Sequence, residues 1–274
     1  MPQRNRPQRN GSWKVVGVLL AHQRKLAGLT QAALAEQAHC DVESIASVEQ
    51  GRRPLSVKMS QVLETHLDAN GALLKAAAAI PRRERYPAFA REYIEHEEET
   101  LSLLSYQNAT VPGMLQSPEY AAAVFASFYP PFPADQIAQQ TEDRIARQAL
   151  FQRKPSPPVM HFIIEQHVLE RPIGGRDVTR GQLQHLRAMA ALPFVGIQIM
   201  PSGLEKHAGL DGPMVLLETP DHDQLAYVEG QRVSILLDDP DEVHALHLLY
   251  GMLRSQALSV EDSKSLLDDL LGES

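Results

Sequence analysis

The chain has one cysteine, Cys40, in 274 residues. An intrachain disulfide framework is therefore closed to it, and a reducing cytoplasm is the expected compartment. Long hydrophobic runs are missing too. None approaches the ~20 residues that cross a bilayer, so no membrane partner is expected. The apolar stretch Val15–Ala21 follows a basic start, but it lacks a small-residue cleavage site and continues as helical periodicity through Leu26, which reads as a first helix rather than a signal peptide. There is no G-x-S-x-G, no P-loop, no credible G-x-G-x-x-G and no H-E-x-x-H. Nucleophilic and nucleotide-dependent chemistry thus lose their usual carriers, and neither an enzyme nor a cofactor is expected. Eleven histidines invite a metal reading. The best spacings, His244 with His247 and Asp221-His222-Asp223, lack a third ligand at a fixed offset, so no metal site is expected.

What is present is concentrated in Leu29–Gly51, LTQAALAEQAHCDVESIASVEQG. Thr30 is placed to cap a helix that opens at Gln31, with Leu34, Ala35 and Ala38 on one face. Asp41 is placed to cap a second helix, in which Ile45 and Val48 face inward. Val42, Glu43, Ser44 and Ser47 are then left pointing outward. Two short helices with a small residue at their crossing, followed directly by Gly51-Arg52-Arg53, have the pattern of a DNA-reading pair. The candidate DNA contacts are Gln31, Val42, Glu43, Ser44 and Ser47, with Arg52 and Arg53 on phosphates. The second helix has no Arg or Lys, so bidentate reading of guanine is not expected from it. Hydroxyl contacts from Ser44 and Ser47, a Glu43 contact to a cytosine amino group and a Val42 contact to a thymine methyl remain.

Charge is distributed to match. The whole chain carries a net charge of −8. Residues 1–60 nevertheless hold nine Lys and Arg against four acids, a net of +5, and the remainder holds 17 against 30, a net of −13. Attraction to phosphate is short-ranged at cellular salt, so the local balance decides. Arg4, Arg6 and Arg9 lie in a Gln/Asn/Pro-rich arm that is expected to be disordered without DNA.

Three regions follow: a basic arm at 1–12, a helical DNA-binding domain at 13–80 and a second domain at 84–274. Helical spacing continues over Leu55–Ala79, with Val57, Val62, Leu63, Leu67, Leu73 and Leu74 as packing residues and a break at Asn70-Gly71, giving five helices. Pro81 and the charged run after it mark the boundary. Beyond it, helices are expected at Pro87–Leu104, Ser117–Phe128, Asp135–Phe151, Val178–Ala191, Asp241–Leu253 and Val260–Leu271. Strands are expected at Leu103–Asn108, Val159–Ile164, Phe194–Met200, Met214–Leu217, Leu225–Val228 and Val233–Leu237. The fold class is an all-α helix-turn-helix bundle followed by an α+β domain with one mixed sheet.

Two resemblances bear on function. Leu29-Thr30-Gln31, Leu34-Ala35, Ile45, Val48-Glu49 and Gly51-Arg52-Arg53-Pro54 resemble the Xre/Cro-type helix-turn-helix of bacterial regulators, with Ala38-His39-Cys40 in the turn where relatives carry a glycine. The string Val111-Pro112-Gly113-Met114-Leu115-Gln116-Ser117-Pro118-Glu119-Tyr120-Ala121 is similar to the C-terminal domain of an actinobacterial regulator family that includes the WhiJ-like proteins. So are Arg144, Arg147-Gln148, Ile164-Glu165, Gln182-Leu183, His207-Ala208-Gly209 and Tyr227-Val228-Glu229. The resemblance implies a cytoplasmic, antitoxin-like regulator often encoded beside a short acidic partner protein. The expected partners are double-stranded DNA, a second copy of the chain as a homodimer, and such an acidic protein. One reading is a sequence-specific transcriptional regulator whose second domain dimerises, binds a partner or senses a ligand. The other is an antitoxin-type protein that neutralises a small partner and autoregulates. The candidate effector or partner surface gathers Pro112, Gly113, Gln116, Tyr120, Arg144, Arg147, Glu165, His207 and Glu229. In it the Pro-Gly turn and the helix start are expected to offer free backbone N–H groups to an acidic ligand.

Overall fold

The computed structural model describes residues 11–80, 84, 90–230 and 233–272. The chain divides into two compact units, residues 1–91 with 133–139 and residues 92–132 with 140–274. The arm with Arg4, Arg6 and Arg9 lies outside the described residues, as does most of the charged boundary segment.

The first unit holds α1 (Gly11–Leu26), α2 (Gln31–Gln37), α3 (Val42–Glu49), α4 (Val57–Leu67) and α5 (Ala72–Ala79). Leu20, Leu34, Ile45, Leu55, Leu63 and Leu73 are completely or almost completely buried in one core with Trp13. Each such side chain contributes about 1.5–3 kcal/mol relative to exposure. The spacing of Met59, Leu63 and Leu67 sets the inner face of α4. Val57, expected in the core, is exposed instead, because it opens the helix directly after the Ser56 cap and points away from that face.

Helices α1, α2 and α3 close in the same way. The residue after the C-cap takes a positive φ in each: Gly28 at 69°, His39 at 50° and Gly51 at 67°. The next amide reaches back five residues, Leu29 N to Arg24 O, Cys40 N to Ala35 O and Arg52 N to Ser47 O. These bonds satisfy carbonyls that a helix end would otherwise leave open. Helix α5 is capped from a distance. The Glu64 carboxylate accepts from Gly71 N at 2.7 Å, Leu73 N at 2.6 Å and Leu74 N at 3.0 Å.

The second unit carries six strands, β1 (Ser102–Gln107), β2 (Val159–Glu165), β3 (Val195–Met200), β4 (Met214–Glu218), β5 (Gln224–Gly230) and β6 (Val233–Leu237). They form one mixed sheet of order β3-β2-β1-β4-β5-β6. The β3-β2-β1 part is parallel and the β1-β4-β5-β6 part antiparallel. Around the strands run α6 (Arg91–Glu99), α7 (Pro118–Ala126), α8 (Ala134–Ala146, whose first residues cluster with the first unit), α9 (Gln166–Glu170), α10 (Arg176–Met189), α11 (Pro240–Gln256) and α12 (Val260–Leu271). Helix α6 is shorter than its amphipathic pattern predicts. Leu101 N donates to Glu218 O, and Thr100 Oγ1 donates to Ser102 O and Glu218 O, which turns the chain into the sheet.

Alternation along the strands gives the sheet two apolar faces. On one, Tyr106, Ile163, Met200, Leu216 and Ala226 pack beneath Val243, Tyr250 and Leu253 of α11. On the other, Tyr227 stacks against Tyr93 of α6, with ring centroids 4.1 Å apart.

Candidate nucleic-acid interface and polar clusters of the second unit

Helices α2 and α3 are fixed by their backbones before any side chain is aimed. Thr30 caps α2 by accepting from Ala33 N. Asp41 occupies the N-cap of α3, but its side chain makes no capping bond, contrary to the sequence expectation. Helix α1 crosses α3 at Gly17, where a Cβ would stand 2.3 Å from Val48 O. Gly51 is held as closely, because a Cβ there would stand 2.6 Å from Lys14 Cα. Any other residue at either point pushes α3 off α1.

Glu49 then ties three helices together. Its carboxylate accepts from Arg24 Nε at 2.6 Å and Nη2 at 3.0 Å, and from Gln31 Nε2 at 2.7 Å. The Arg24 guanidinium is pushed up from its ordinary value, first by the Glu49 hydrogen bond. Gln31, expected as a groove reader, spends its amide on this clamp.

The outward face of α3 is narrower than the sequence predicts. Val42 is 46 % exposed, Glu43 is exposed and Ser47 half-buried, whereas Ser44 is 2 % exposed. Ser44 turns inward because Arg53 Nη1, arriving from beyond the helix end, donates to its hydroxyl at 3.0 Å. Arg53 also pairs with Asp135 at 2.7 Å, so it is a brace rather than a phosphate contact. Arg52 remains at the surface, its guanidinium held by Glu43 Oε1 and Gln50 Oε1, both at 2.8 Å. Glu43 also accepts from Ser47 Oγ, and the Arg52 hydrogen bond holds its carboxyl below the usual range. The candidate DNA surface thus reduces to Val42, Glu43, Ser47 and Arg52. In the turn below, burial and then Asp135 push the Cys40 thiol up, which makes it a poor nucleophile.

In the second unit, the expected effector residues sort into separate places. Pro112, Gln116 and Tyr120 are buried. Several N–H groups of the Pro-Gly turn and the helix start already have partners. Ser117 N donates to Gln182 Oε1 at 2.7 Å, Tyr120 N to Ser117 Oγ, and Gln116 N to Gly113 O. Three glutamines hold this turn in place: Gln182 Nε2 donates to Leu115 O, Gln148 Nε2 to Gln116 O, and Gln116 Nε2 to Val111 O. Buried backbone groups require such partners, and here side chains replace the ladder a strand would supply.

Arg144 and Arg147 both lie against Gly113. Arg144 donates to Gln116 Oε1 at 2.8 Å and stands over the Phe125 ring at 4.2 Å. Burial, and then the charge of Arg147, bring its pKa down to about 10, with Glu229 acting in the other direction. Arg147 forms a two-pronged pair with Glu97, Nη2 to Oε1 at 2.6 Å and Nε to Oε2 at 2.7 Å, on the sheet face of Tyr93. Glu97 also accepts from Tyr93 Oη at 2.6 Å.

Glu165 and His207, expected beside Arg147, belong to the opposite face with Tyr106. Strand alternation separates them: Tyr106 packs with Ala226, whereas Tyr93 stacks on the next residue, Tyr227. Glu165 Oε1 accepts from Tyr106 Oη at 2.7 Å and meets His207 Nε2 at 2.8 Å. Gly209 N donates to His207 Nδ1, so Nδ1 is the lone-pair nitrogen and Nε2 carries the proton that Glu165 receives. This set pins the segment between β3 and β4 to the C-terminal ends of the parallel strands. Glu97, Gln182 and Tyr106 were missed as polar anchors in the sequence. Their partners stand 50, 65 and 59 residues away, and no local spacing signals them.

Among the described residues, no group of three or more His, Cys, Asp or Glu is placed to hold a metal ion. No helix among them is long and apolar enough to cross a membrane.

A capped α2, a tight turn and an α3 with one exposed face make the first unit a helix-turn-helix, and the protein a DNA-binding regulator. Residues 15–91 match the family described as "Helix-turn-helix domain". Residues 90–269, well over half of the chain, match "Domain of unknown function (DUF5753)", and the chain belongs to that family. No curated protein and no solved structure gives a significant match.

Proposed function

We propose that the protein is a sequence-specific transcriptional regulator of the Xre type with a WhiJ-like second domain, acting from the cytoplasm as a homodimer on a near-palindromic operator. The observation that carries this reading is the α3 surface: Val42, Glu43, Ser47 and Arg52 lie together over a helix whose opposite side is locked into the core. Val42 and Ser47 read base edges, and Arg52 anchors a phosphate once it exchanges Glu43 for the backbone. One such domain spans only a few base pairs, so two copies on half-sites about 34 Å apart supply useful affinity.

The second domain works by binding rather than by catalysis. Its most enzyme-like trio, Tyr106, Glu165 and His207, is spent on internal hydrogen bonds. Arg144, whose hydrogen bond goes to a neutral amide, is the residue best suited to meet an acidic effector or partner.

Selection of bound sequences from randomised DNA tests the assignment. Ser47→Ala and Val42→Ala each shift discrimination at one or two base pairs by about 1–3 kcal/mol. Arg52→Ala weakens all sites alike and lowers the salt slope by about one. Unchanged base preference in both α3 variants would overturn the reading.

A further inference from the structure

Three arginines of this protein meet an acid in one way. Arg24 gives Nε and Nη2 to the two oxygens of Glu49, Arg147 gives the same pair to Glu97, and Arg187 gives it to Asp268. That edge of a guanidinium matches the spacing of the two oxygens of a carboxylate. Arg144, near the end of α8, departs from the pattern. Its Nη1 donates to Gln116 Oε1 at 2.8 Å, and its guanidinium stands over the Phe125 ring at 4.2 Å. Among the described residues no carboxylate pairs with it, and its Nε and Nη2 make no hydrogen bond. The side chain is half-buried, and burial with the charge of Arg147 already brings its pKa down to about 10. A cation held in this way costs stability that an anion on its open edge returns.

Beside that edge stands a glycine that its backbone does not require. Gly113 is not among the residues with a positive φ. A Cβ there would stand 3.6 Å from Arg144 Nε, 3.7 Å from Arg144 Cδ and 3.8 Å from Arg147 Nη1, all ordinary contacts. A small side chain would therefore fit, and it would extend into the space beside Nε. The glycine keeps that space clear. The charge of the group that suits it follows from the neighbours. Glu97 cancels Arg147, so Arg144 supplies one surplus positive charge. The exposed Glu229 also acts on Arg144, which further disfavours a doubly charged ligand. A phosphate group, at about −1.5 to −2, exceeds what the cluster can balance. A carboxylate has the single charge and the two coplanar oxygens.

The geometry points to the Nε–Nη2 edge of Arg144, beside Gly113, as a binding site for one carboxylate group. The inference rests on the reading of the second domain as a binding domain above, and it names the chemical class of the ligand and the atoms that hold it.

Nitrogen-15 NMR of the arginine-labelled full chain tests it, with sodium acetate titrated in while sodium chloride holds the ionic strength fixed. The Nε–H resonance of Arg144, identified by its loss in Arg144→Lys, moves to saturation with acetate. Phosphate acts at least about tenfold more weakly. Gly113→Asp brings a carboxylate to the edge from the chain itself. The Arg144 resonance then starts near its acetate-saturated position, acetate binds at least about tenfold more weakly, and the melting temperature rises by about 2–4 °C. The blocked peptide acetyl-Gly-Glu-Gly-amide separates the two sources of the group: binding tighter than acetate assigns the site to an acidic protein segment, and weaker binding assigns it to a small organic acid. Phosphate binding more tightly than acetate overturns the carboxylate assignment and leaves the acidic-effector reading standing. A Gly113→Asp chain that binds acetate as the wild type does overturns the placement beside Gly113. An Arg144 resonance indifferent to both anions overturns the site and the acidic-effector reading together.

Discussion

His161 on β2 gives the protein a stability that depends on acidity. Its ring lies over Gly196 of the neighbouring strand, where a Cβ would come within 2.3 Å of Cδ2. Tyr250 Oη donates to the His161 carbonyl at 3.0 Å, so its oxygen is left to accept from His161 Nδ1 at 2.9 Å. The proton of the neutral ring therefore sits on Nδ1. Burial, and then the charge of Arg254, bring the pKa from 6.5 down to about 4. Between these values the unfolded chain binds a proton that the folded chain refuses. Stability is therefore complete above about pH 6.5, falls as the pH drops, and levels off below about pH 4. The full shift corresponds to about 3 kcal/mol, and to about 2 kcal/mol once the ring's partial exposure is allowed for. Urea denaturation at about pH 7 and about pH 4.5, on the wild type and on His161→Phe, isolates the contribution. The variant is less stable near neutrality, through the lost Tyr250 bond, but loses less on acidification. Carbon-13 NMR of the histidine ring follows the titration directly. A ring that titrates near 6.5, or equal acid losses in the two proteins, would refute the reasoning.

Two further predictions follow from the polar anchors and the turns. Arg147→Ala leaves the Glu97 carboxylate buried without its cation, and should cost about 3–5 kcal/mol in chemical denaturation; a cost below 1 kcal/mol would show that the pair is dispensable. His39→Gly relieves the only non-glycine among three equivalent left-handed helix ends and should add about 1 kcal/mol. An unchanged or lower melting temperature would show that the His39 ring has a role of its own.

The sequence announced its elements better than its contacts. Short β-prone apolar runs located all six strands, although few of them alternate: β4 is apolar and buried at four consecutive positions, because it is covered on both faces, while β6 is only partly covered. Caps located helix starts where the side chain does the capping, as at Thr30 and Ser117. Ser44 was misjudged because a helical wheel places it outward, while the arginine that buries it arrives from a loop nine residues later. The joined site of Arg147, Glu165 and His207 failed for a related reason. Each residue sits where a polar group needs a partner, but only strand order and alternation decide which face of the sheet receives it. The five-helix reading of the first unit survived because its core spacing is local. The remote cap from Glu64 escaped notice because a carboxylate in mid-helix carries no sign of the loop it will reach.

The closest approaches of α1 to α3 are main chain against main chain: the carbonyls of Val48 and Glu49 against Gly17, and Gly51 against the backbone of Lys14. The stance of the reading helix is therefore independent of the letters written on its outer side. Val42, Glu43 and Ser47 can be exchanged without shifting the scaffold beneath them, so divergence among descendants can alter which operator is chosen while the angle of approach to the groove is inherited unchanged.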